Sequence, residues 1–334
     1  SCRDILGIWF SKILLFHRST LFWMDNVTMV VPLKQPIVFQ LEGFYVPPGY
    51  GAFLFFLALL CYIVIMLANG VVLCIIVIDK NLHRPMYILV CNLVVCDLLG
   101  ATTVLPRLMM HFLMGQKKIG YISAIAQAFC VHLYGTAVQT ILGVMAYDRY
   151  IAVCEPLRYH AIMTSARLHS YLALAWFIAV LLIAVLFILH MNSPLCGNII
   201  HHVYCSNRGI LNLACSPTPM NNIYGNIFLI IAFSYIRILH VCVKQGRDDS
   251  FIRSKTFQTC APHLVVYVLY QLATLVIIVS QRFPSLSQNV KKFFSIMFII
   301  IPPAMNAMIY GLVSKDIRAS IIQHFKYVYV HRKN

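Results

Sequence analysis

A chain of 334 residues could form one or two soluble domains by length alone. Its composition excludes that class: 60% of the residues are hydrophobic, 11% are charged and the mean hydropathy is +0.80, where soluble domains carry about 25% charged residues. The formal net charge of +16 would fit a nucleic-acid partner, but no aromatic-basic platform accompanies it, and the loop Lys and Arg of a membrane protein account for it.

From the N-terminus, residues 1–23 form an apolar run broken by Lys12, His17 and Arg18. A signal peptide needs an unbroken apolar region, so the stretch reads as an upstream extension that surface delivery does not require. Met24 then opens a segment (24–50) carrying the sequon Asn26-Val27-Thr28, a glycosylation acceptor useful only on the luminal side. Seven apolar segments follow, at about 51–78, 86–113, 122–153, 170–190, 221–243, 261–280 and 293–312. Each is near the ~20 residues a helix needs to cross the bilayer. They are too long and too uniformly apolar for barrel strands, and the expected fold is an all-α bundle of seven transmembrane helices. Residues 313–334 form a tail in which "KDIRASIIQHFKYV" has the pattern of a short amphipathic helix.

Lys and Arg counts orient the bundle. With the odd-numbered loops and the C-terminus inside, fifteen lie inside and eight outside from Met24 onward, which favours N-terminus out and C-terminus cytoplasmic. The polar loop before segment five then faces an oxidising compartment, and its Cys196, Cys205 and Cys215 become disulfide candidates. His190, His201, His202 and Cys205 crowd the same loop but lack regular ligand spacing, so no metal site is assigned. No HExxH, G-x-S-x-G or phosphate loop is present. The chain reads as neither an enzyme nor a cofactor protein.

Polar residues inside a span are expensive and tend to face the bundle. Asn69 lies in segment one, Asp97 in segment two, and Asn306 with Tyr310 in segment seven. Their similar depth suggests a polar cluster around Asp97. The outer half of segment three carries His132, Tyr134, Thr136 and Gln139, and segment six carries Tyr270, Gln271 and Thr274. Small ligands bind between helices in apolar pockets holding a few polar groups. His132, Thr136, Gln271 and Thr274, with Tyr270, are therefore the expected lining of a ligand site for a polar small molecule. Where segment three ends, "MAYDRY" places Asp148, Arg149 and Tyr150 at the cytoplasmic edge. There an Arg can pair with the adjacent Asp and be released when helices move.

"LHRPMYILVCNLVVCDLL" (82–99), "MAYDRYIAVCEPLRYHAIMT" (145–164), "SYIRIL" (234–239), "KTFQTCAPHL" (255–264) and "PPAMNAMIYGL" (302–312) occur together in this order. With seven spans, the chain resembles a rhodopsin-type G-protein-coupled receptor, and more narrowly an odorant receptor, fish-like in style, over about residues 40–320. The resemblance implies a plasma-membrane receptor that binds a small-molecule odorant and activates a heterotrimeric G protein of the olfactory stimulatory type. It further implies that Asp148, Arg149 and Tyr150 act as the activation switch, that Tyr310 moves, and that Lys255 and His263 line the G-protein face. The tail helix would rest on membrane lipids. A transporter or channel is the alternative, but the matched helix breaks of internal repeats are missing.

Three departures from the family pattern stand out. Pro262 replaces a usual Ser. Ala307 replaces a usual Pro, which predicts a straighter seventh span. Counting back from Arg149, Ala124 occupies the position of the family's span-three Cys, leaving Cys205 alone while Cys196 and Cys215 remain able to close on each other. Segment five also reads as short. Between Cys215 and Ser234, "SPTP" (216–219) does not extend a helix. The remainder spans about 21 Å against a ~30 Å core, which predicts impaired delivery and ligand response.

Overall fold

The computed structural model describes residues 38–191, 195–215, 265–277, 279–280 and 286–331. Residues 1–23, Asn26, segment five (221–243), Lys255, Pro262 and His263 lie outside the described residues.

Helices α1 (Gly51–Ile78), α2 (Pro85–Met114), α3 (Tyr121–Cys154) and α4 (Ser165–Met191) follow the first four apolar segments. A short α5 (Asn207–Leu211) lies in the loop after α4. Helices α6 (Val265–Ile277), α7 (Gln288–Met308) and α8 (Lys315–His331) follow, and a single helical turn, Tyr159–Ile162, lies between α3 and α4. Five of them, α1, α2, α3, α4 and α7, are long and apolar enough to cross a membrane. Local signals set the ends. Pro85 occupies the first turn of α2, and Gly115 closes it in the left-handed region at φ 64°. Ser287 caps α7 by accepting from the Val290 amide.

The chain packs α1 on α2, α2 on α3, α3 on α4, and α7 against α1 and α2. Along α3, Ala124, Ala128, Val131, Tyr134, Val138, Ile141 and Met145 are buried. This three-to-four spacing is one helical face. Gly100 lets α2 approach α3, because a Cβ there would lie 2.8 Å from the Tyr134 ring. The outward faces are equally apolar: Phe53, Phe56, Leu60 and Leu67 on α1, and Leu174, Phe177, Leu181 and Ile188 on α4, are all exposed. Water would not tolerate so continuous an apolar surface, whereas hydrocarbon does.

At one end of the bundle a small sheet forms in the order β2-β1-β3. The central β1 (Val38–Leu41) pairs antiparallel with β2 (Lys118–Gly120) and parallel with β3 (Ile199–Ile200). Beneath it lies an apolar cluster containing Phe39, Leu41, Ile119, Ala124, Phe187 and Ile200. At the other end α8 docks across the mouths of α1 and α2. Ser320 donates to Asp79 at 2.6 Å, and Tyr87 donates to Asp316 at 2.9 Å.

Span seven does not run straight on. The α-helix passes through Pro302, Pro303 and Ala307, then widens into a π-turn over Ile309–Val313. Ala307 keeps regular helix at its own position, and the wider turn begins two residues on, at Ile309, and holds Tyr310.

Candidate functional site

Asp97 is fully buried on α2 and receives two donors. The Asn306 amide from α7 reaches Oδ2 at 2.7 Å, and the Tyr270 hydroxyl from α6 donates to Oδ1. Asn306 also donates to the Tyr270 oxygen at 3.0 Å, closing a three-residue ring across three helices. Asn69 sits alongside on α1, its amide donating to Ile65 O at 3.0 Å and Pro303 O at 3.1 Å. Asn69 thus ties α1 to α7 without touching the carboxylate. Tyr270, expected among the ligand-lining residues, is 1% exposed and spends its hydroxyl on Asp97.

The other expected lining residues divide. Thr274 donates to Tyr270 O within its own helix at 2.8 Å. The His132 Nε2 accepts from the Asn207 amide at 3.0 Å, which anchors α5 to α3. Gln271 donates to Gln139 Oε1 at 2.7 Å, bridging α6 and α3. One turn away on α3, the Thr136 hydroxyl is buried with no hydrogen-bond partner among the described residues. Sequence alone marks Gln139 only as a polar position on segment three; the packing of α6 on α3 pairs it with Gln271.

At the opposite end, the Asp148 side chain is 1% exposed. It accepts from Arg149 Nε at 2.9 Å, and the Arg149 Nη2 reaches the same oxygen. The Tyr159 hydroxyl, from the loop beyond, donates to the second oxygen at 2.7 Å. Burial, then the neighbouring carboxylate, raises the Tyr159 pKa, so this phenol stays a donor. Sequence reasoning passed over Tyr159, although it lies in the quoted "CEPLRYH". Tyr150 is partly buried against the main core.

A carboxylate holding an Arg at one end, a buried Asp97 ring at mid-depth and an unpartnered hydroxyl beyond it are stacked along a single bundle. The olfactory receptor family model matches residues 58–327. Human olfactory receptor 2F1 is 35% identical over 279 residues, covering 80% of this chain and 86% of that protein. The canine olfactory receptor-like protein OLF3 is 33% identical, with the same two coverages. Human olfactory receptor 52B2 is 30% identical over 88% of this chain and 94% of its own length.

The chain belongs to the olfactory receptor family.

It is therefore a multi-pass odorant receptor coupled to a G protein, and not an enzyme. The loop after α4 is anchored to span three by side-chain hydrogen bonds. Ala124 and Cys205 are both fully buried in the cluster under the sheet. In place of a bridge to span three, the Cys205 amide donates to Gln127 Oε1 at 2.9 Å, while Gln127 Nε2 donates to Thr103 O at 3.0 Å. Burial raises the Cys205 thiol to about 12 despite the nearby Arg107. Cys196 and Cys215 are joined. Closing that loop stabilises the fold by about 3 kcal/mol in the chain-entropy model. Alkylation of the unreduced receptor followed by mass spectrometry should recover the Cys196–Cys215 peptide pair, with Cys205 alkylated only after denaturation. A bridge from Cys205 to Cys130, a free cysteine on α3 six residues beyond Ala124, would contradict this.

The loop also predicts a pH response. The His202 Nε2 lies 3.1 Å from Ser295 Oγ, and its Nδ1 accepts from the Tyr204 amide at 3.4 Å. Ser295 already donates to Lys291 O, so the geometry requires a neutral imidazole with its proton on Nε2. Burial, then the charge of Lys292, lowers the His202 pKa from 6.5 to about 4. Below pH 6.5 the unfolded chain takes up a proton that the folded loop refuses, so stability falls from pH 6.5 to about 4. The loss reaches roughly 3 kcal/mol. Glu42 acts lower on the scale. Burial opposes its ionisation, but hydrogen bonds from Lys292 and His201 outweigh that and lower its pKa. Its contribution is lost only as pH falls through that lowered value. Melting of purified receptor at pH 7.5 and pH 5 should show a lower Tm in acid, and His202→Asn should flatten the difference.

Proposed function

We propose that this receptor binds a small polar odorant between α3 and α6, in the half of the bundle beneath the sheet. The observation that carries this reading is the buried, unpartnered Thr136 hydroxyl one turn from the Gln139–Gln271 amide pair. A buried hydroxyl without a partner costs about 1–3 kcal/mol, and a ligand carrying a hydrogen-bonding group would recover it. His132 shapes the same region from the loop side, and Thr274 and Tyr270 support it from behind. In this reading 24–50 lies outside the cell, 51–312 forms the bundle, and 313–334 is a cytoplasmic tail with α8 resting on inner-leaflet lipid.

Asp148, Arg149 and Tyr150 would then engage an olfactory stimulatory G protein, with Lys255 and His263 on the same face and Tyr310 shifting within the π-turn. Cells expressing that G protein should produce cyclic AMP when exposed to members of a polar odorant panel. Thr136→Val and Gln271→Leu should each shift the half-maximal concentration tenfold or more at unchanged surface level. Responses that ignore both substitutions would overturn the assignment of the site. A guanine-nucleotide analogue that fails to change ligand affinity would overturn coupling and favour a transporter.

A further inference from the structure

Lys292 opens the seventh span with its side chain only 1% exposed. A buried ammonium is costly unless it is paired and hydrogen-bonded. Here Nζ lies 2.7 Å from Glu42 Oε1 and 2.8 Å from Gly43 O. Both partners belong to the segment that continues β1, some 250 residues earlier in the chain. The other Glu42 oxygen meets His201 Nδ1 at 2.8 Å, just beyond β3. The Glu42 and Gly43 amides donate to Ile200 O and His202 O. Gly43 is in the left-handed region at φ 72°, and a Cβ there would lie 2.4 Å from His111 Cε1. The next amide, Phe44 N, donates to His111 Nε2 at 3.2 Å. One short segment is thus fastened to span two, to the second loop and to span seven at once.

The three fastenings differ in kind. Those to the second loop are backbone hydrogen bonds, the one to span two is a backbone amide on the His111 ring, and the one to span seven is a single side chain, Lys292, paired with Glu42 and donating to Gly43 O. An open cleft of about 310 Å³ runs along that same seam, lined by Glu42, Gly43, Phe44 and Lys117 on one side and Ser287 and Asn289 on the other. Glu42 lines the cleft and is 39% exposed, so water already reaches the acid and is at hand when the pair separates. An apolar contact would lose its stabilisation on opening, whereas both members of an ion pair regain hydration. The seam toward α7 is therefore the edge that parts most easily. Ser295, 1% exposed and one turn below Lys292, lies directly behind it.

We propose that Glu42 and Lys292 form an ionic latch that holds the N-terminal strand as a roof over the bundle, and that ligands reach the interior through the seam it closes. The proposal rests on the reading that the ligand site lies beneath the sheet. Its own gate is tested separately from that site. Cysteine is placed at Ser295 as a reporter of the seam and, in a second series, at Thr136 as a reporter of the ligand region. Full-length receptor on intact cells is treated with membrane-impermeant thiosulfonate reagents, one cationic and one anionic, so that local charge cannot mimic opening. Receptor without the added cysteine supplies the background.

With Glu42→Gln, both reagents should label Ser295→Cys at least tenfold faster than in the otherwise native latch. The exchanged pair Glu42→Lys with Lys292→Glu should restore slow labelling. Lys292→Ala, which removes the ammonium and its packing and leaves Glu42 unpaired, serves if Glu42→Gln fails to reach the surface, and it should also label faster. Equal rates in native, single and exchanged latches would overturn the gate, as would fast labelling that the exchange does not slow. Faster labelling of Ser295→Cys without any at Thr136→Cys would leave the gate standing and count against the ligand site.

Discussion

Replacing Arg149 by alanine is expected to reduce ligand-stimulated cyclic AMP to background while leaving surface expression close to that of the native receptor. The described hydrogen bonds of the guanidinium run to the adjacent Asp148 at the end of α3, so its loss leaves the outer half of the bundle intact. Asp148 is nearly fully buried and accepts from Arg149 and Tyr159 together. That carboxylate holds the Arg in the arrangement seen here, and a two-state switch is biased by whatever weakens the hold. Asp148→Asn should therefore raise basal signalling. Tyr159→Phe removes one hydrogen bond, worth about 1 kcal/mol, and should raise basal activity about fivefold or less. Undiminished signalling by Arg149→Ala at normal surface level would overturn the switch assignment.

Asp97→Ala is expected to be the most damaging substitution inside the bundle. It removes the acceptor shared by Tyr270 and Asn306, both about 1% exposed. Two buried donors then lack their partner, at a cost of about 2–4 kcal/mol, and α2, α6 and α7 lose the ring that joins them. Asp97→Asn should be milder, because its carbonyl oxygen can still accept from Tyr270 while one contact to Asn306 is lost. Thermal unfolding of detergent-solubilised receptor should rank native above Asp97→Asn above Asp97→Ala. Equal melting of all three would mean that the ring contributes nothing to stability.

Much of the architecture was legible because its signals are local. A 20-residue apolar run, a Pro in a first turn, a Gly after a last turn and an Asp-Arg pair at a span end each state their meaning within a few residues. Spacing and chemistry could also mark Asp97, Asn306 and Asn69 as buried polar positions. They could not say which of them meet. Asn69 turned out to hold Pro303 O, and Tyr270, read as a wall of the ligand cavity, completes the Asp97 ring. The depth of a residue along a span follows from counting; the direction its side chain faces depends on how neighbouring helices are rotated.

That this is a multi-span helical receptor of the olfactory family can be read along the chain, because hydrophobic length and family motifs are properties of contiguous stretches. The partnerships across long separations, Glu42 with Lys292 and Gln139 with Gln271, arise from how the helices and the strand pack, as does the nearer pairing of Tyr159 with Asp148. The π-turn that ends the seventh span is likewise a product of packing. Nothing in Lys292 announces a buried ion pair, since a Lys at a helix start more often reaches into solvent. Its burial results from the β1 segment folding back across the bundle mouth. There backbone pairing with β2 and β3 fixes where Glu42 must lie, and a buried ammonium can persist only where such a carboxylate is brought to it.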